Sequence, residues 1–194
     1  MSGNNLYPVF FKMDQLNTLI VGGGNVGLEK LESLLKNSPQ APIRLIGIKI
    51  DPRIKALQPD FPNLELIERA FQVDDLDGIN MALLATENRE TNREIRALAH
   101  AKNISVNVAD TPDLCDFYLG SVVKKGHLKI GISTNGQSPT FAKRFRQVLE
   151  EILPDETDQL LGNLRTIRDR LKGDFQYKVK KLNEYTSQLV SEDQ

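Results

Sequence analysis

The chain has 194 residues, and its 25 lysines and arginines nearly balance 26 acidic residues, which gives a formal net charge of -1 at pH 7. This length accommodates one ordinary domain and a smaller attached one, and the balanced charge is not typical of a nucleic-acid binder. The single cysteine, Cys115, excludes an intramolecular disulfide. No apolar run approaches the roughly 20 residues that cross a bilayer, and no secretory signal pattern is present, so we expect a cytoplasmic protein without membrane contacts.

Strands and helices alternate in the first half of the sequence. Residues 6–11 form a short apolar stretch that we expect to be an edge strand. Pro8 has no backbone N–H, so it cannot take part in a hydrogen-bond ladder with strands on both sides. Further strands are predicted over residues 18–21, 43–50, 64–70, 81–85 and 104–108, and helices over residues 26–36 and 89–101. In the second helix, Ile95, Leu98 and Ala99 should face inward. The alternation predicts an α/β fold with a doubly wound parallel sheet over residues 1–112.

The character of the sequence then changes from crossover units to a hairpin. Two apolar segments flank a turn at Lys125-Gly126, which predicts paired antiparallel strands. Ser138 and Pro139 carry a helix-start signature, with serine as N-cap and proline at the first helical position. We expect this helix to continue over residues 141–153, until a proline closes it.

A last helical segment is predicted over residues 156–190, with Gly173 dividing it into two helices. Its apolar side chains are spaced alternately by four and three residues: Leu160, Leu164, Ile167 and Leu171. Such a stripe must be buried against something, either within the chain or on a partner. The sequence therefore divides into three parts, covering residues 1–112, 113–153 and 154–194.

A glycine-rich turn follows the first buried strand. Gly22, Gly24 and Gly27 match the pattern G-x-G-x-x-G, in which the first glycine makes the turn, the second admits a pyrophosphate and the third packs helix against strand. The helix that follows offers amide donors and the positive end of its dipole to a diphosphate. Because the motif stands between a strand and a helix, we interpret residues 1–112 as a Rossmann-like dinucleotide-binding domain.

Asp51 lies about 24 residues beyond Gly27, at the end of a predicted strand, where an acid favours NAD over NADP by binding the ribose. Two alternatives stay open. Asp51 precedes Pro52 and can cap the next helix, and the flanking cations Lys49 and Arg53 can accept a 2′-phosphate. The predicted cofactor is NAD.

Five segments, in their order and spacing, resemble one known family over residues 5–155. They are Tyr7-Pro-Val-Phe, Leu19-Ile-Val-Gly-Gly-Gly-Asn-Val-Gly27, Leu84-Ala-Thr-Glu87, Val106-Asn-Val-Ala-Asp110 and Ile132-Ser-Thr-Asn-Gly-Gln-Ser-Pro139. The sequence is similar to the precorrin-2 dehydrogenases and sirohydrochlorin ferrochelatases, the family of the N-terminal part of siroheme synthase. Thr134 departs from the second serine that we associate with bifunctional members, which puts regulation through that serine in doubt.

The resemblance implies NAD-dependent oxidation of precorrin-2 to sirohydrochlorin in a homodimer, and it leaves Fe²⁺ insertion open as a second activity. It implies that residues 113–153 serve dimerisation and substrate binding, and that Asp110 is catalytic. From its place before Thr111-Pro112 alone, Asp110 is more readily a turn cap; the resemblance reverses this preference. The glycine motif and the resemblance together assign these cofactor-binding residues: Gly22, Gly24, Asn25, Val26, Gly27, Lys49, Ile50 and Thr86.

The implied substrate carries several carboxylates, which require cations and hydroxyl groups. Ser138, Thr140, Lys143, Arg144 and Arg146 can supply them, although a solvated helix face explains this run equally well. The two histidines, His100 and His127, lack ligand-forming neighbours at metal-binding spacing, so we predict no metal site. Cys115 is predicted to be a packed thiol.

Two other functions stay open on the sequence. One is a non-catalytic NAD-sensing regulatory Rossmann module, like those of potassium transport proteins, and the other is an NAD-dependent dehydrogenase of a small acid. The regulatory modules share the glycine turn and an Ala-Thr-acid segment, but they lack the hairpin and the Ser-Thr-Asn-Gly-Gln-Ser-Pro loop.

Overall fold

The computed structural model describes residues 3–187, and none of the helices in this range is long and apolar enough to span a membrane. The chain separates into two compact units between Gly120 and Ser121. We call residues 3–120 the sheet unit and residues 121–187 the hairpin unit. The three-part division, with boundaries after residues 112 and 153, stays a prediction.

The sheet unit contains five parallel strands in the order β3-β2-β1-β4-β5. The strands are β1 (Thr18–Val21), β2 (Ile43–Gly47), β3 (Leu64–Glu68), β4 (Met81–Leu84) and β5 (Ser105–Val108), and the helices are α1 (Asn25–Asn37), α2 (Pro52–Leu57) and α3 (Arg89–Ala101). Short 3-10 helices cover Met13–Gln15, Gln58–Asp60, Val73–Leu76 and Pro112–Leu114. The chain winds outward from β1 in both directions, which confirms the predicted doubly wound sheet.

The central strand is continuously apolar because both of its faces are buried. Leu19 and Ile20 have no exposed surface, and they point to opposite faces. Leu19 belongs to an apolar cluster with Ile95 of α3, whereas Ile20 belongs to a second cluster with Leu31 of α1. The sheet is therefore covered on both sides, and its strand ends are the edge left for a ligand.

Two predictions about the sheet unit are wrong. Residues 6–11 pair with no strand within the described chain, and Tyr7 and Phe10 are 87% and 70% exposed. Pro8 has no N–H to donate, and a strand without a neighbour leaves its backbone groups unpaired. Leu98 was expected to face inward with Ile95, but it stays 37% exposed, because it lies beside a cavity.

The hairpin unit begins with the antiparallel strands β6 (Ser121–Lys125) and β7 (Leu128–Ile132). Helix α4 (Pro139–Ile152) follows, and the Ser138 hydroxyl accepts a hydrogen bond from the Phe141 amide at 3.1 Å. The predicted hairpin and the predicted helix start are both confirmed.

Two further helices, α5 (Thr157–Arg170) and α6 (Phe175–Thr186), end the described chain. Gly173 separates them with a φ of +134°, as predicted, since that backbone conformation favours glycine. The last residues of the predicted helix, 188–190, lie outside the described residues. In the predicted apolar stripe, Leu160 is 40% exposed, and Leu164, Ile167 and Leu171 are half-buried.

Candidate functional site

The turn between β1 and α1 depends on glycine at its first position. Gly22 has a φ of +123°, and a Cβ atom there would lie 2.3 Å from the Ala85 carbonyl oxygen. Its amide donates to the Ile46 carbonyl at 2.8 Å. The turn is thus held between the ends of β2 and β4, and a larger residue at Gly22 would push β4 away.

The other glycines of this turn are of two kinds. Cβ atoms at Gly23 and Gly27 would lie 2.5 Å from the Lys49 carbonyl oxygen and 1.9 Å from the Gly22 carbonyl oxygen. A Cβ at Gly24 would have no atom of the described part of the chain within 4 Å, and Gly24 has an ordinary backbone conformation. The fold requires three of the glycines for close packing, whereas Gly24 faces open space that a ligand can enter.

Helix α1 begins at this open position without a side-chain cap. Gly24 is its N-cap, no side chain within residues 3–187 bonds to its first amides, and its first turn has no acidic residue. Free amides and the positive end of the helix dipole favour an anion at this place. The geometry fits a dinucleotide diphosphate, because backbone and ligand can approach closely at Gly24.

A cavity of about 990 Å³ lies along the ends of the central strands. Of the sequence-predicted residues, it is lined by Gly22, Gly24, Lys49 and Thr86, together with Asp51. Its wall also includes several residues that the sequence did not suggest: Arg69, Phe71, Gln72, Val73, Glu94 and Leu98. These residues lie after β3 and on α3. Only the general rule that ligands bind at the carboxyl ends of parallel strands could have pointed to them from the sequence.

Asp51 has the capping role that the sequence left open, and it also lines the cavity. Its Oδ1 accepts from the Arg53 amide at 2.9 Å at the start of α2, and its Oδ2 accepts from Arg53 Nη2 at 2.7 Å. These hydrogen bonds from the Arg53 side chain and amide lower the pKa of Asp51 to about 2. Asp51 is therefore a carboxylate at any physiological pH.

Thr86 is fixed at the end of β4 by a buried amide. Its hydroxyl donates to Asn92 Oδ1 at 2.7 Å, and Asn92 Nδ2 donates back to the Thr86 carbonyl at 3.0 Å. Asn92 is only 2% exposed. This arrangement orients the Thr86 hydroxyl and leaves its oxygen lone pairs able to accept a hydrogen bond. No motif in the sequence marks Asn92, which lies on α3 among charged residues.

An ion pair supports the part of the cavity wall that follows β3. Asp75, 5% exposed, accepts from both terminal nitrogens of Arg69, at 2.6 and 2.8 Å, and from the Gln72 amide at 2.7 Å. The hydrogen bond from Arg69 outweighs burial and lowers the pKa of Asp75. This pair holds the loop after β3, which contributes Phe71 and Val73 to the cavity wall.

Asp110 follows β5 on an exposed turn and has a left-handed φ of +53°. The preceding amide, of Ala109, donates to the Leu84 carbonyl at 2.9 Å, so the turn starts beside β4. The 3-10 helix that follows is capped by Thr111 without a side-chain bond, and no residue in the range 3–187 donates a hydrogen bond to the Asp110 carboxylate. The geometry therefore does not support Asp110 as a turn cap. Asp110 is also not among the residues that line the cavity.

The loop that carries Asp110 is tied back onto β5. Asp116 Oδ2 accepts from the Val106 amide and lies 2.8 Å from His100 Nε2. Burial opposes ionisation of Asp116, but these two hydrogen bonds lower its pKa overall. The half-buried Cys115 accepts from the Val108 amide at 3.2 Å, and burial raises the pKa of its thiol, as expected for a packed cysteine. Both contacts anchor the loop on which Asp110 stands.

Several predicted site residues do not line the cavity themselves. Ile50 is 2% exposed and packs in the core, so its side chain is not available to a ligand. Asn25, Val26 and Gly27 form the first turn of α1, and the Asn25 side chain accepts a hydrogen bond from Arg53.

The predicted cations of α4 lie in the hairpin unit. Lys143 and Arg144 are exposed, whereas Arg146 pairs with Glu150 on the same helix face. His127 is 2.7 Å from Asp158, and His100 is bound to Asp116. Within residues 3–187, histidine, cysteine and acidic side chains form no cluster of three that can hold a metal.

The fold and the glycine turn define a Rossmann-type dinucleotide-binding unit. A family model described as putative NAD(P)-binding matches residues 9–121, and a second, described as sirohaem biosynthesis protein central, matches residues 125–152. Because the first match covers more than half of the chain, the chain belongs to the putative NAD(P)-binding family.

The relatives agree with the resemblance found in the sequence. The siroheme synthase of Psychrobacter arcticus is 35% identical over 90% of this chain and 31% of its own length, and that of Nitrosomonas europaea is 31% identical over 87% and 35%. The chain thus spans about a third of the length of these curated relatives. A solved structure, SirC, precorrin-2 dehydrogenase, has a TM-score of 0.72 and 21% identity, and it covers 96% of this chain and 94% of its own. That likeness confirms the predicted fold class.

Proposed function

We propose that this protein binds NAD at the glycine turn and uses it to oxidise precorrin-2 to sirohydrochlorin in siroheme biosynthesis. The observation that carries the proposal is the open position at Gly24, which lies at an uncapped helix N-terminus and on the wall of a cavity of about 990 Å³. The similarity to siroheme synthases over most of the chain supports this particular substrate.

The cofactor-binding residues proposed are those assigned from the sequence. Gly22 and Gly27 shape the turn, and Gly24 leaves room for the diphosphate beside the first amides of α1, those of Asn25 and Val26. Three further residues lie along the strand ends: Lys49, Ile50 and Thr86. When bound, NAD would supply a hydride acceptor. The protein would position the cofactor and provide a base for the proton.

Oxidation of precorrin-2 removes a hydride and a proton, so a base is needed near the tetrapyrrole. Asp110 is proposed as that base, because it stands beyond the carboxyl end of β5 on an anchored loop and its carboxylate has no partner within residues 3–187. A positioned base typically contributes about 100- to 10,000-fold in rate. Aspartate tolerates the left-handed backbone of this turn, where Asp110 has a φ of +53°.

The direct test is to incubate the protein with NAD and enzymatically made precorrin-2, while recording the absorption spectrum of sirohydrochlorin. Appearance of that spectrum together with NADH is the expected result. NAD binding without turnover would favour a regulatory module instead. Oxidation of a small acid, but not of precorrin-2, would favour an NAD-dependent dehydrogenase of a small acid. The match of the sirohaem model to residues 125–152 favours the enzyme, since regulatory modules lack that hairpin.

A homodimer is part of the proposal, because α4 carries an uncovered apolar face. Phe141, Phe145, Val148 and Ile152 are spaced by four and three residues, lie on one side of the helix, and are 42–65% exposed. The rings of Phe141 and Phe145 stack at 5.8 Å between centroids. We call these four residues the α4 apolar face. A second copy of the chain that covers this face would remove it from water.

Insertion of Fe²⁺ into sirohydrochlorin is proposed as a second activity, with Fe²⁺ as substrate. The same carboxylate, Asp110, can accept a pyrrole proton as the metal enters. Anaerobic addition of Fe²⁺ to the sirohydrochlorin assay, compared in the parent protein and Asp110→Asn, tests it by the appearance of the siroheme spectrum. The cytoplasmic location stays a prediction.

A further inference from the structure

The outer edge of β5 is covered by two side chains. Within the described chain, β5 lies at the end of the sheet and pairs with β4 alone. On its other side, the Asp116 amide donates to the Val106 carbonyl and Asp116 Oδ2 accepts from the Val106 amide, both at 2.8 Å. Cys115 Sγ accepts from the Val108 amide and donates to the Val108 carbonyl, both at 3.2 Å. These contacts supply the hydrogen bonds that a sixth strand would make.

The segment between β5 and these contacts carries Asp110. We call residues 109–117 the β5 loop. It begins where the Ala109 amide donates to the Leu84 carbonyl at 2.9 Å, and it returns to the strand at Asp116. Asp110 is its second residue, and no group in the described part of the chain donates a hydrogen bond to its carboxylate. The position of that carboxylate therefore depends on the path of the loop backbone.

Asp116 joins the β5 loop to two elements at once. Besides accepting from the Val106 amide, Oδ2 lies 2.8 Å from His100 Nε2 on α3, and Oδ1 lies 3.7 Å from Arg96 Nη2. Arg96 Nε also donates to the Leu114 carbonyl of the loop at 2.8 Å. Val106 has no exposed surface, so the carboxylate is bound to the rigid part of the sheet unit. A hydrogen bond from an amide to a carboxylate is among the stronger ones in proteins.

We propose that Asp116 is a positioning residue for Asp110, the proposed base. The inference rests on the proposed function and deepens it, since it states how the base is held. Asp116 fixes the end of the β5 loop on Val106, and the loop holds Asp110 beyond the carboxyl end of β5. Asp116 is not among the residues that line the cavity, so it acts through Asp110 and not through the cofactor. Displacement of a reacting group by about 1 Å can cost about 100-fold in rate.

A double-mutant cycle on the whole chain tests the proposal. The initial rate of sirohydrochlorin formation is measured at saturating NAD and precorrin-2 in the parent, Asp116→Ala, Asp110→Asn and the double variant. Asp116→Ala should lower kcat by about 10- to 100-fold and leave the NAD dissociation constant within about threefold of the parent. In the Asp110→Asn background, the same substitution should lower kcat by less than about threefold, because no base is left to misplace.

Three further variants sharpen the test. Asp116→Asn keeps an oxygen that accepts from the Val106 amide and should retain kcat within about threefold. Asp77→Ala is the matched control, since Asp77 also pairs with the end of α3, at Lys102, but lies outside the β5 loop, and kcat should stay within the same margin. Arg96→Ala removes a second contact of the loop and should lower kcat by at least about threefold. It keeps the proposal testable if urea unfolding shows that Asp116→Ala does not fold.

Three outcomes overturn the proposal. A folded Asp116→Ala protein with kcat within about threefold of the parent would show that the place of Asp110 does not depend on Asp116. An equal loss of rate in the parent and in the Asp110→Asn background would show that Asp116 supports the fold alone. If the parent forms no sirohydrochlorin, the proposed function fails as well, whereas an active parent with an indifferent Asp116→Ala removes only the positioning role.

Discussion

The sheet unit and the hairpin unit bury their apolar side chains to different extents. In the sheet unit, Leu19, Ile20 and Leu45 have no exposed surface and belong to two continuous clusters on the faces of the sheet. Among residues 121–187, only Val123 and Ala142 are buried. One unit has a complete core, and the other, a two-stranded hairpin with three helices, has almost none.

This difference shows where precise geometry is available. The glycine turn is fixed by contacts with the ends of β2 and β4, so a site built on the sheet unit can be rigid before any ligand binds. A two-stranded hairpin is at best marginally stable by itself in water. Here the hairpin packs against α4, where Val123 and Ala142 are buried, but the unit buries few other apolar side chains, and the predictions below test each side of this contrast.

The largest expected effect is on the oxidation of precorrin-2, which should depend on Asp110 in the sheet unit. Asp110→Asn keeps the size of the side chain and removes the base, so oxidation of precorrin-2 should slow by about 100- to 10,000-fold. The measurement is the initial rate of sirohydrochlorin formation at saturating NAD. NAD affinity and the melting temperature should stay at the parent values, because Asp110 is exposed and lies outside the cavity wall.

A folded, NAD-binding Asp110→Asn protein that works within about threefold of the parent rate would show that Asp110 is structural, since a lost general base costs far more. Asp113, exposed on the same loop, supplies the matched control. Asp113→Asn should leave the rate unchanged within the same margin.

The glycine turn separates binding from folding at two positions. Gly24→Val places a Cβ where no atom of the described residues lies within 4 Å, so the protein should fold normally while NAD affinity falls by at least about tenfold, the loss of one charge-assisted contact to the diphosphate. Gly27→Ala places a Cβ 1.9 Å from the Gly22 carbonyl oxygen and should destabilise the fold by about 1–3 kcal/mol. Calorimetric titration with NAD and urea unfolding measure the two effects. Unchanged NAD affinity in folded Gly24→Val would remove the diphosphate assignment.

The ion pair between buried Asp75 and half-buried Arg69 should make the stability of the sheet unit depend on pH. Asp75 has a lowered pKa in the folded protein, so its contribution is present above the unfolded value, near 3.9, and is lost as pH falls through the folded pKa. Asp75→Asn should lower the free energy of unfolding by about 1.5–3 kcal/mol at pH 7, and the gap to the parent should shrink below about pH 4. Urea unfolding across this pH range measures both quantities.

The matched variant in the hairpin unit is Asp158→Asn. Asp158 also has a lowered pKa, caused by its hydrogen bonds with His127, but both side chains are exposed, at 48% and 82%. Water screens such a pair, so its loss should change the melting temperature much less than the loss of Asp75. Equal effects of the two substitutions would contradict the contrast between the units.

The sequence predicted best those elements that are buried on both sides. The run Thr18–Val21, the glycine turn and helix α1 were predicted because a buried strand, a close turn and a helical spacing each leave a strong pattern. The bounds of α3, Arg89–Ala101, agree with the prediction for the same reason. Residues 6–11 have the composition of a strand, but whether a neighbouring strand exists is a property of the tertiary structure.

The site was predictable where a motif fixes the backbone and not where side chains meet across loops. The sequence offered capping and cofactor contact as alternatives for Asp51, whereas its geometry combines the helix cap with a place on the cavity wall. The pairing of Arg69 with Asp75, and the support of Thr86 by Asn92, each join residues six apart, and no local pattern marks that spacing.

The smallest expected effect is a twofold difference in molecular mass between a homodimer and a monomer. It tests whether a second copy of the chain covers the α4 apolar face. The α4 apolar face exposes four large side chains that a monomer would leave in water, and their burial in a homodimer is worth roughly 25 cal/mol per Å². Multi-angle light scattering at micromolar concentration should give a dimer for the parent and a monomer for Phe145→Glu, whose charge cannot be buried in an apolar interface. Phe175→Glu, at an 80% exposed phenylalanine outside this face, should stay dimeric. A monomeric parent would leave the α4 apolar face without its proposed partner, and a dimeric Phe145→Glu would place the interface elsewhere.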